Sequence, residues 1–143
     1  MIISRTPFRI SFFGGGTDYP NWYKEHGGCV ISTTINKYAF ITVRYLPPFF
    51  DYKYRIRYFS HEETDTLDKI KHPSVRECAK YLQIKEGIEV VHNADLPAQS
   101  GLGSSSTFTV GLLNALYSLK NHMPTKKELA LDAIHVEQNL IGE

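Results

Sequence analysis

The sequence predicts an α+β fold, and three observations carry that prediction. Strand-type runs rich in β-branched and aromatic residues occupy the chain up to Phe59. Apolar residues at helical spacing dominate from Ser74 onward. One further strand, Ile88-Glu89-Val90-Val91, feeds a glycine–serine loop that opens a strongly apolar helix. Strands gathered first and helices afterwards are the pattern of an α+β domain. The 143 residues suffice for one core, and 42% hydrophobic against 22% charged residues is the balance of a globular chain rather than a disordered one. No internal repeat or linker divides the chain, so residues 1–143 read as one domain.

The elements follow in order. Phe8, Ile10 and Phe12 alternate with Arg9 and Ser11, as in a strand with one covered face. Gly14-Gly15-Gly16 then allow a sharp exit, and Asp18 follows on the turn. Such an aspartate either bonds its own backbone or accepts hydrogen bonds from a ligand's hydroxyl groups. Pro20 to His26 forms a short helix ended by Gly27-Gly28; its Trp22 and Tyr23 are read as packed beneath it, with a place beside a sugar as the alternative. Cys29 to Ile35 and Tyr38 to Tyr45 are two strands joined by a tight turn at Asn36-Lys37, and Leu46-Pro47-Pro48 breaks the second. Tyr54 to Phe59 is another strand, whose Arg55 and Arg57 decorate a solvated face or meet a phosphate. His61 to Lys71 is polar and reads as loop or loose helix.

Ser74 to Gln83 sets Val75, Cys78, Ala79 and Leu82 on one helical face. Phe108, Leu112, Leu113, Ala115, Leu116 and Leu119 make the helix after the loop apolar enough to lie buried on the sheet. The last helix starts at Thr125 with a capping box, Thr125-Lys126-Lys127-Glu128, and carries the stripe Leu129, Ala133, Val136 and Leu140. Glu137 falls on its polar side, where periodicity alone points a carboxylate at water.

The loop Leu96-Pro97-Ala98-Gln99-Ser100-Gly101-Leu102-Gly103-Ser104-Ser105-Ser106 concentrates the chemistry. Its glycines permit a tight turn and close approach, and the serines fall where a helix leaves its first N–H groups unpaired. Those amides and the helix dipole favour an anion, above all the phosphates of a nucleotide. A plain serine-capped helix after a flexible loop is the simpler alternative. No Gly-Lys-Ser/Thr follows, so the Walker loop is excluded, and Ser106 stands where the dinucleotide fingerprint needs a third glycine.

Global features narrow the class. A net charge of +1 without clustered Lys or Arg gives no footprint for nucleic acid or membrane. No apolar run reaches the roughly 18 to 20 residues a bilayer requires, and no secretory signal opens the chain. Cys29 and Cys78 are expected as free thiols, and a cytoplasmic location follows. The six histidines are scattered and read as surface or structural; His61-Glu62-Glu63 lacks the second histidine of a zinc helix.

Two of these segments resemble the GHMP kinases, the family of galactokinase, homoserine kinase, mevalonate kinase and phosphomevalonate kinase. The serine loop is similar to that family's Pro, three residues, Gly-Leu-Gly-Ser-Ser-Ala, with Ser106 in place of alanine. The segment Thr6 to Tyr19 resembles its first motif in the Gly-Gly-Gly-Thr-Asp version, closest to kinases of D-glycero-D-manno-heptose 7-phosphate and of fucose. Glycines at 15 and 16 remove the Glu and His of galactokinases and argue against galactose.

The resemblance implies a mostly antiparallel sheet with helices on one face. It implies ATP bound by Pro97, Gly101, Leu102, Gly103, Ser104, Ser105 and Ser106, and Mg2+ bound by Ser105 and Glu137. It implies a sugar or sugar phosphate held by Arg9, Gly15, Gly16, Thr17 and Asp18, with Arg9 beside the reacting hydroxyl in a catalytic role. The expected reaction is γ-phosphoryl transfer to an anomeric hydroxyl, with heptose 7-phosphate preferred. Fucose or another sugar, or a non-catalytic ATP- and sugar-binding relative, are the alternatives. The resemblance covers about half of a typical member; the family's catalytic aspartate falls after Glu143. The chain is therefore expected to be a truncated ATP-binding domain, inactive alone, with an apolar face for a C-terminal domain.

Overall fold

The structure, a computed structural model, describes residues 1–98 and 100–142. Gln99, inside the predicted phosphate loop, and Glu143 lie outside the described residues. Five strands form one sheet in the order β1-β2-β5-β3-β4: β1 (Ile2–Phe13), β2 (Ile31–Tyr45), β3 (Tyr54–Arg57), β4 (His61–Thr64) and β5 (Ile88–Ala94). β3 runs parallel to β5, and the other three pairings are antiparallel. The helices are α1 (Pro20–His26), α2 (Pro73–Tyr81), α3 (Ser104–Leu119) and α4 (Lys126–His135), the last prolonged by a π turn over Val136–Ile141. None of them is long and apolar enough to cross a membrane.

The core lies between one sheet face and the α2–α3–α4 layer. Ile41 and Val43 of β2, Ile56 of β3, Ile88 and Val90 of β5, and Leu112, Leu113 and Leu116 of α3 are all buried. α3 packs closest, over β1 and β2, where buried Ser4 Oγ donates to the Gly111 carbonyl at 2.7 Å. A Cβ on Gly111 would meet Thr6 Oγ1 at 2.8 Å, so a glycine here lets the helix approach the sheet. The predicted face of α2 is buried at all four positions, Val75, Cys78, Ala79 and Leu82. The capping box at Thr125 and Glu128 forms in both directions.

Several expectations are corrected. Asn36-Lys37 is not a turn, and β2 starts at Ile31 rather than Cys29 and continues unbroken to Tyr45. Between the pairs Pro7–Tyr38 and Arg9–Thr34, β1 advances two residues while β2 advances four, so Asn36 and Lys37 lie in a bulge. The strand around Phe8 is covered only in part: Phe8 is buried, but Phe12, beyond the reach of α3, is 57% exposed. The strand at Tyr54 ends at Arg57 rather than Phe59, and the polar stretch after His61 begins with a four-residue edge strand, β4. Leu140 is 40% exposed, whereas Ile141 packs on the core, because a π turn sets the residue five after Val136, not four, on the inner face.

Candidate active site

The bulge in β2, opposite Phe8, decides where Arg9 goes. Its backbone N–H leaves the sheet ladder and donates to the Leu102 carbonyl at 3.2 Å, which ties the first motif to the serine loop. Its guanidinium donates to Ser11 Oγ at 2.6 Å. After β1, Gly14 adopts φ +85°, and a Cβ there would lie 1.8 Å from the Cys29 carbonyl oxygen. Only glycine lets this turn sit against the chain entering β2. Thr17 locks the arrangement: its hydroxyl donates to Gly14 O at 2.7 Å and accepts from Cys29 N–H at 3.2 Å. Asp18 ends the same short 3-10 turn and faces solvent.

The serine loop behaves as its composition predicts. Gly101 and Gly103 take φ +73° and +72°, and Gly103 caps α3, whose first turn is Ser104-Ser105-Ser106. No side chain caps that end, so amides of the first turn open toward the cleft. Ser106 Oγ donates back to the Gly103 carbonyl at 3.2 Å. The π turn brings Glu137 and Gln138 to the same cleft.

The result is an open cleft of about 730 Å³ lined by residues far apart in sequence. Arg9, Gly15, Asp18, Gly101, Gly103, Ser104, Ser105, Ser106 and Glu137, each singled out from sequence, all line it. Gly16, Pro97 and Leu102 do not, and Thr17 serves the turn while lining an adjoining cavity. Sequence reasoning missed Tyr19, Pro20 and Gln138 as lining residues. Position next to a motif residue was the one signal they carried. Ser11 also lines the cleft, and its two-residue spacing from Arg9 on a strand was a usable sign. Arg55, read as surface or phosphate-binding, is instead largely covered and paired with Glu89, which also binds Arg44. Burial pushes the Glu89 carboxyl up, but the two guanidiniums outweigh it and hold it below the usual range.

A second, apolar cavity of about 220 Å³ opens beside the loop and shares Ser104 and Ser105 with the cleft. Its walls include Tyr58, Phe59, His72, His92, Leu96 and Phe108. His72 stacks on Phe108 with ring centres 4.7 Å apart, and His92 meets Phe108 edge-on at 4.9 Å. Burial pushes the His92 imidazole below its usual value, and its Nε2 makes no hydrogen bond with a described residue. Both histidines were read from sequence only as surface or structural.

The sequence model of the GHMP kinases N terminal domain matches residues 72–143, which include the serine loop, α3 and Glu137. The chain belongs to the GHMP kinase family. It is 27% identical over 150 residues to D-glycero-alpha-D-manno-heptose 7-phosphate kinase of Campylobacter jejuni, covering 99% of this chain and 44% of that protein. It is 33% identical over 153 residues to galactokinase of Pyrococcus furiosus, covering 99% and 40%. Among solved structures, a D-glycero-D-manno-heptose 1-phosphate kinase from Bacteroides thetaiotaomicron superposes with a TM-score of 0.84 at 21% identity, over 99% of this chain and 49% of the other. This GHMP kinase chain thus spans less than half the length of the relatives it matches.

Proposed function

We propose that residues 1–143 form the nucleotide-binding part of an ATP-dependent sugar kinase that phosphorylates an anomeric hydroxyl, with a heptose 7-phosphate as preferred acceptor. The observation that carries this reading is the convergence of Arg9, Asp18, the loop serines and Glu137 on one cleft. In this reading the first-turn amides of α3 hold the β- and γ-phosphates, and Gly101 and Gly103 let the backbone come close to them. The adjoining apolar cavity, which shares Ser104 and Ser105, receives the purine ring between Tyr58, His72 and Leu96.

A magnesium ion fits the donor set. Mg2+ is ordinarily bound through one or two protein oxygens, with phosphate oxygens and waters completing its octahedron. Ser105 and Glu137 both line the cleft, and among the described residues no cluster of three His, Cys, Asp or Glu competes for a metal. Those two residues would hold the ion, which when bound neutralises charge on the transferring phosphoryl group.

The acceptor oxygen bonds to the γ-phosphorus as the bond to the bridging oxygen of ADP breaks. Asp18 accepts hydrogen bonds from the sugar's hydroxyls and so orients it. Arg9, fixed by Ser11 and by its backbone tie to Leu102, lends positive charge beside the acceptor oxygen. In this reading these residues bind and orient the two substrates. The exposed apolar side chains Tyr19, Val30 and Ile134 beside the cleft suit contact with the remaining length seen in the relatives. A cytoplasmic setting, with its ATP and magnesium, completes the reading.

The test is direct. Titration with a non-hydrolysable ATP analogue and magnesium should give saturable binding. Phosphoryl transfer should then be assayed, in the full-length protein, with heptose 7-phosphate, L-fucose and D-galactose. Absence of nucleotide binding would overturn the proposal; transfer to fucose alone would replace the acceptor.

A further inference from the structure

Glu62 is only 8% exposed although it stands on β4, an edge strand, where it pairs with the buried Ile56. A carboxylate turned to the covered face of a sheet is costly unless donors surround it. Here they do. Its oxygens accept from the Tyr58 hydroxyl at 2.8 Å, from the Lys71 N–H at 2.6 Å and from the His72 N–H at 3.1 Å. Burial, together with the Glu62 carboxylate, pushes the Tyr58 phenol above its usual value, so the tyrosine remains the donor.

Those donors belong to two separate elements. Tyr58 lies just past β3 in the β3–β4 hairpin, where its N–H donates to the Ser60 carbonyl at 2.9 Å. Lys71 and His72 lead into α2, and His72 is the residue before its first turn. α2 has neither a side-chain cap nor an acidic residue in that turn, so Glu62 supplies from another strand the negative charge that a helix start favours. Arg76 adds a second hold on the same segment, donating to the Ile70 carbonyl at 3.0 Å. The rings of Tyr58 and His72 meet edge-on at 4.8 Å, and both line the apolar cavity beside the serine loop. Glu62 is not among the lining residues.

We propose that Glu62 is a positioning residue for nucleotide binding: it holds Tyr58 and His72 in the arrangement that receives a base, without touching the nucleotide itself. The proposal rests on the kinase reading and adds to it a residue that acts from outside the site. Apolar packing gives the hairpin tip little support, because next to Tyr58 the Phe59 side chain is 91% exposed. Glutamine is no substitute for the carboxylate. The groups facing Glu62 are all donors, and an amide NH2 would set a further donor against one of them. The hairpin and the start of α2 would then part and the cavity would lose its wall. The serine loop, tied at Leu102 to the Arg9 backbone, would keep its place.

The experiment compares two ligands in the full-length protein with magnesium: a non-hydrolysable ATP analogue, which carries a base, and inorganic tripolyphosphate, which does not. Glu62→Gln should weaken the analogue about tenfold and leave tripolyphosphate within about twofold of the parent. In transfer assays the KM for ATP should rise about tenfold with kcat nearly unchanged, a split that a general loss of stability does not produce. Tyr58→Phe removes only the hydroxyl and should weaken the analogue about threefold. Added to Glu62→Gln it should cost little more, because both changes break the same contact. If Glu62→Gln does not fold, Tyr58→Phe decides alone. If the deciding variant binds the analogue as tightly as the parent does, or if tripolyphosphate weakens by the same factor, the positioning role is overturned and the kinase reading stands. If the parent itself binds no nucleotide, both readings fall.

Discussion

Gly103 sits directly against Arg9: a methyl group added at its Cα would lie 3.1 Å from Arg9 Cγ and 3.3 Å from Nε. The same residue holds φ +72° as the cap of α3. Gly103→Val therefore meets two obstacles, a left-handed backbone and a displaced arginine. A left-handed side chain costs about 1–2 kcal/mol, and a loop that shifts to relieve it should lose nucleotide affinity by roughly five- to thirtyfold. Titration with a fluorescent ATP analogue checks it, with circular dichroism to show that the helices persist.

Glu137→Gln tests the metal. It keeps size and one oxygen donor but removes the negative charge from the cleft. The magnesium concentration giving half-maximal nucleotide binding should rise about tenfold or more. Chelation of magnesium should abolish the difference between variant and parent. An unchanged magnesium titration would remove Glu137 from the metal site.

Asp132 holds the helical layer together. Tyr81 of α2 donates to its Oδ1 and Tyr117 of α3 to its Oδ2, each at 2.7 Å, from a position on α4. Asp132→Ala should cost about 2–3 kcal/mol in urea unfolding, since it leaves two tyrosine hydroxyls without their charged acceptor. Tyr81→Phe and Tyr117→Phe should each cost less, and combining either with Asp132→Ala should add little, because the three residues form one network.

His92 predicts a pH dependence. Burial holds its folded value below the ordinary 6.5 that the unfolded chain regains. On acidification the unfolded state therefore binds the proton first. The stability contribution is complete above about 6.5 and is lost as the pH falls from there through the lower folded value. Thermal melting should occur at a lower temperature at pH 5.5 than at pH 7.5, and His92→Phe, which keeps an aromatic edge on Phe108, should flatten that slope.

What the sequence made legible was local. The strand, glycine–serine loop and apolar helix announce themselves by composition, and Thr125 with Glu128 declares a helix start. Asn36-Lys37 misled because a turn dipeptide and a bulge share the same residues. Which one forms depends on pairing with Pro7 and Arg9, some 30 positions away. β4 was missed because an edge strand with one covered position, Glu62, shows no apolar alternation. Arg55 looked solvated because its partner Glu89 stands on another strand. The cleft itself was legible as residue types but not as a place. The tie from Arg9 to Leu102, 93 positions apart in the sequence, shows that the two motifs share one site.

The π turn at Val136–Ile141 closes with the Gly142 N–H bonded to the carbonyl of Glu137, five positions back. Ordinary helix would need one residue fewer for the same bond. Deleting Gln138 would rewind the segment and rotate everything after it by about 100°. Substitutions at its exposed positions, such as Asn139, should thus leave the phase of the turn intact, whereas an insertion or deletion, however small or polar, should throw it out of step.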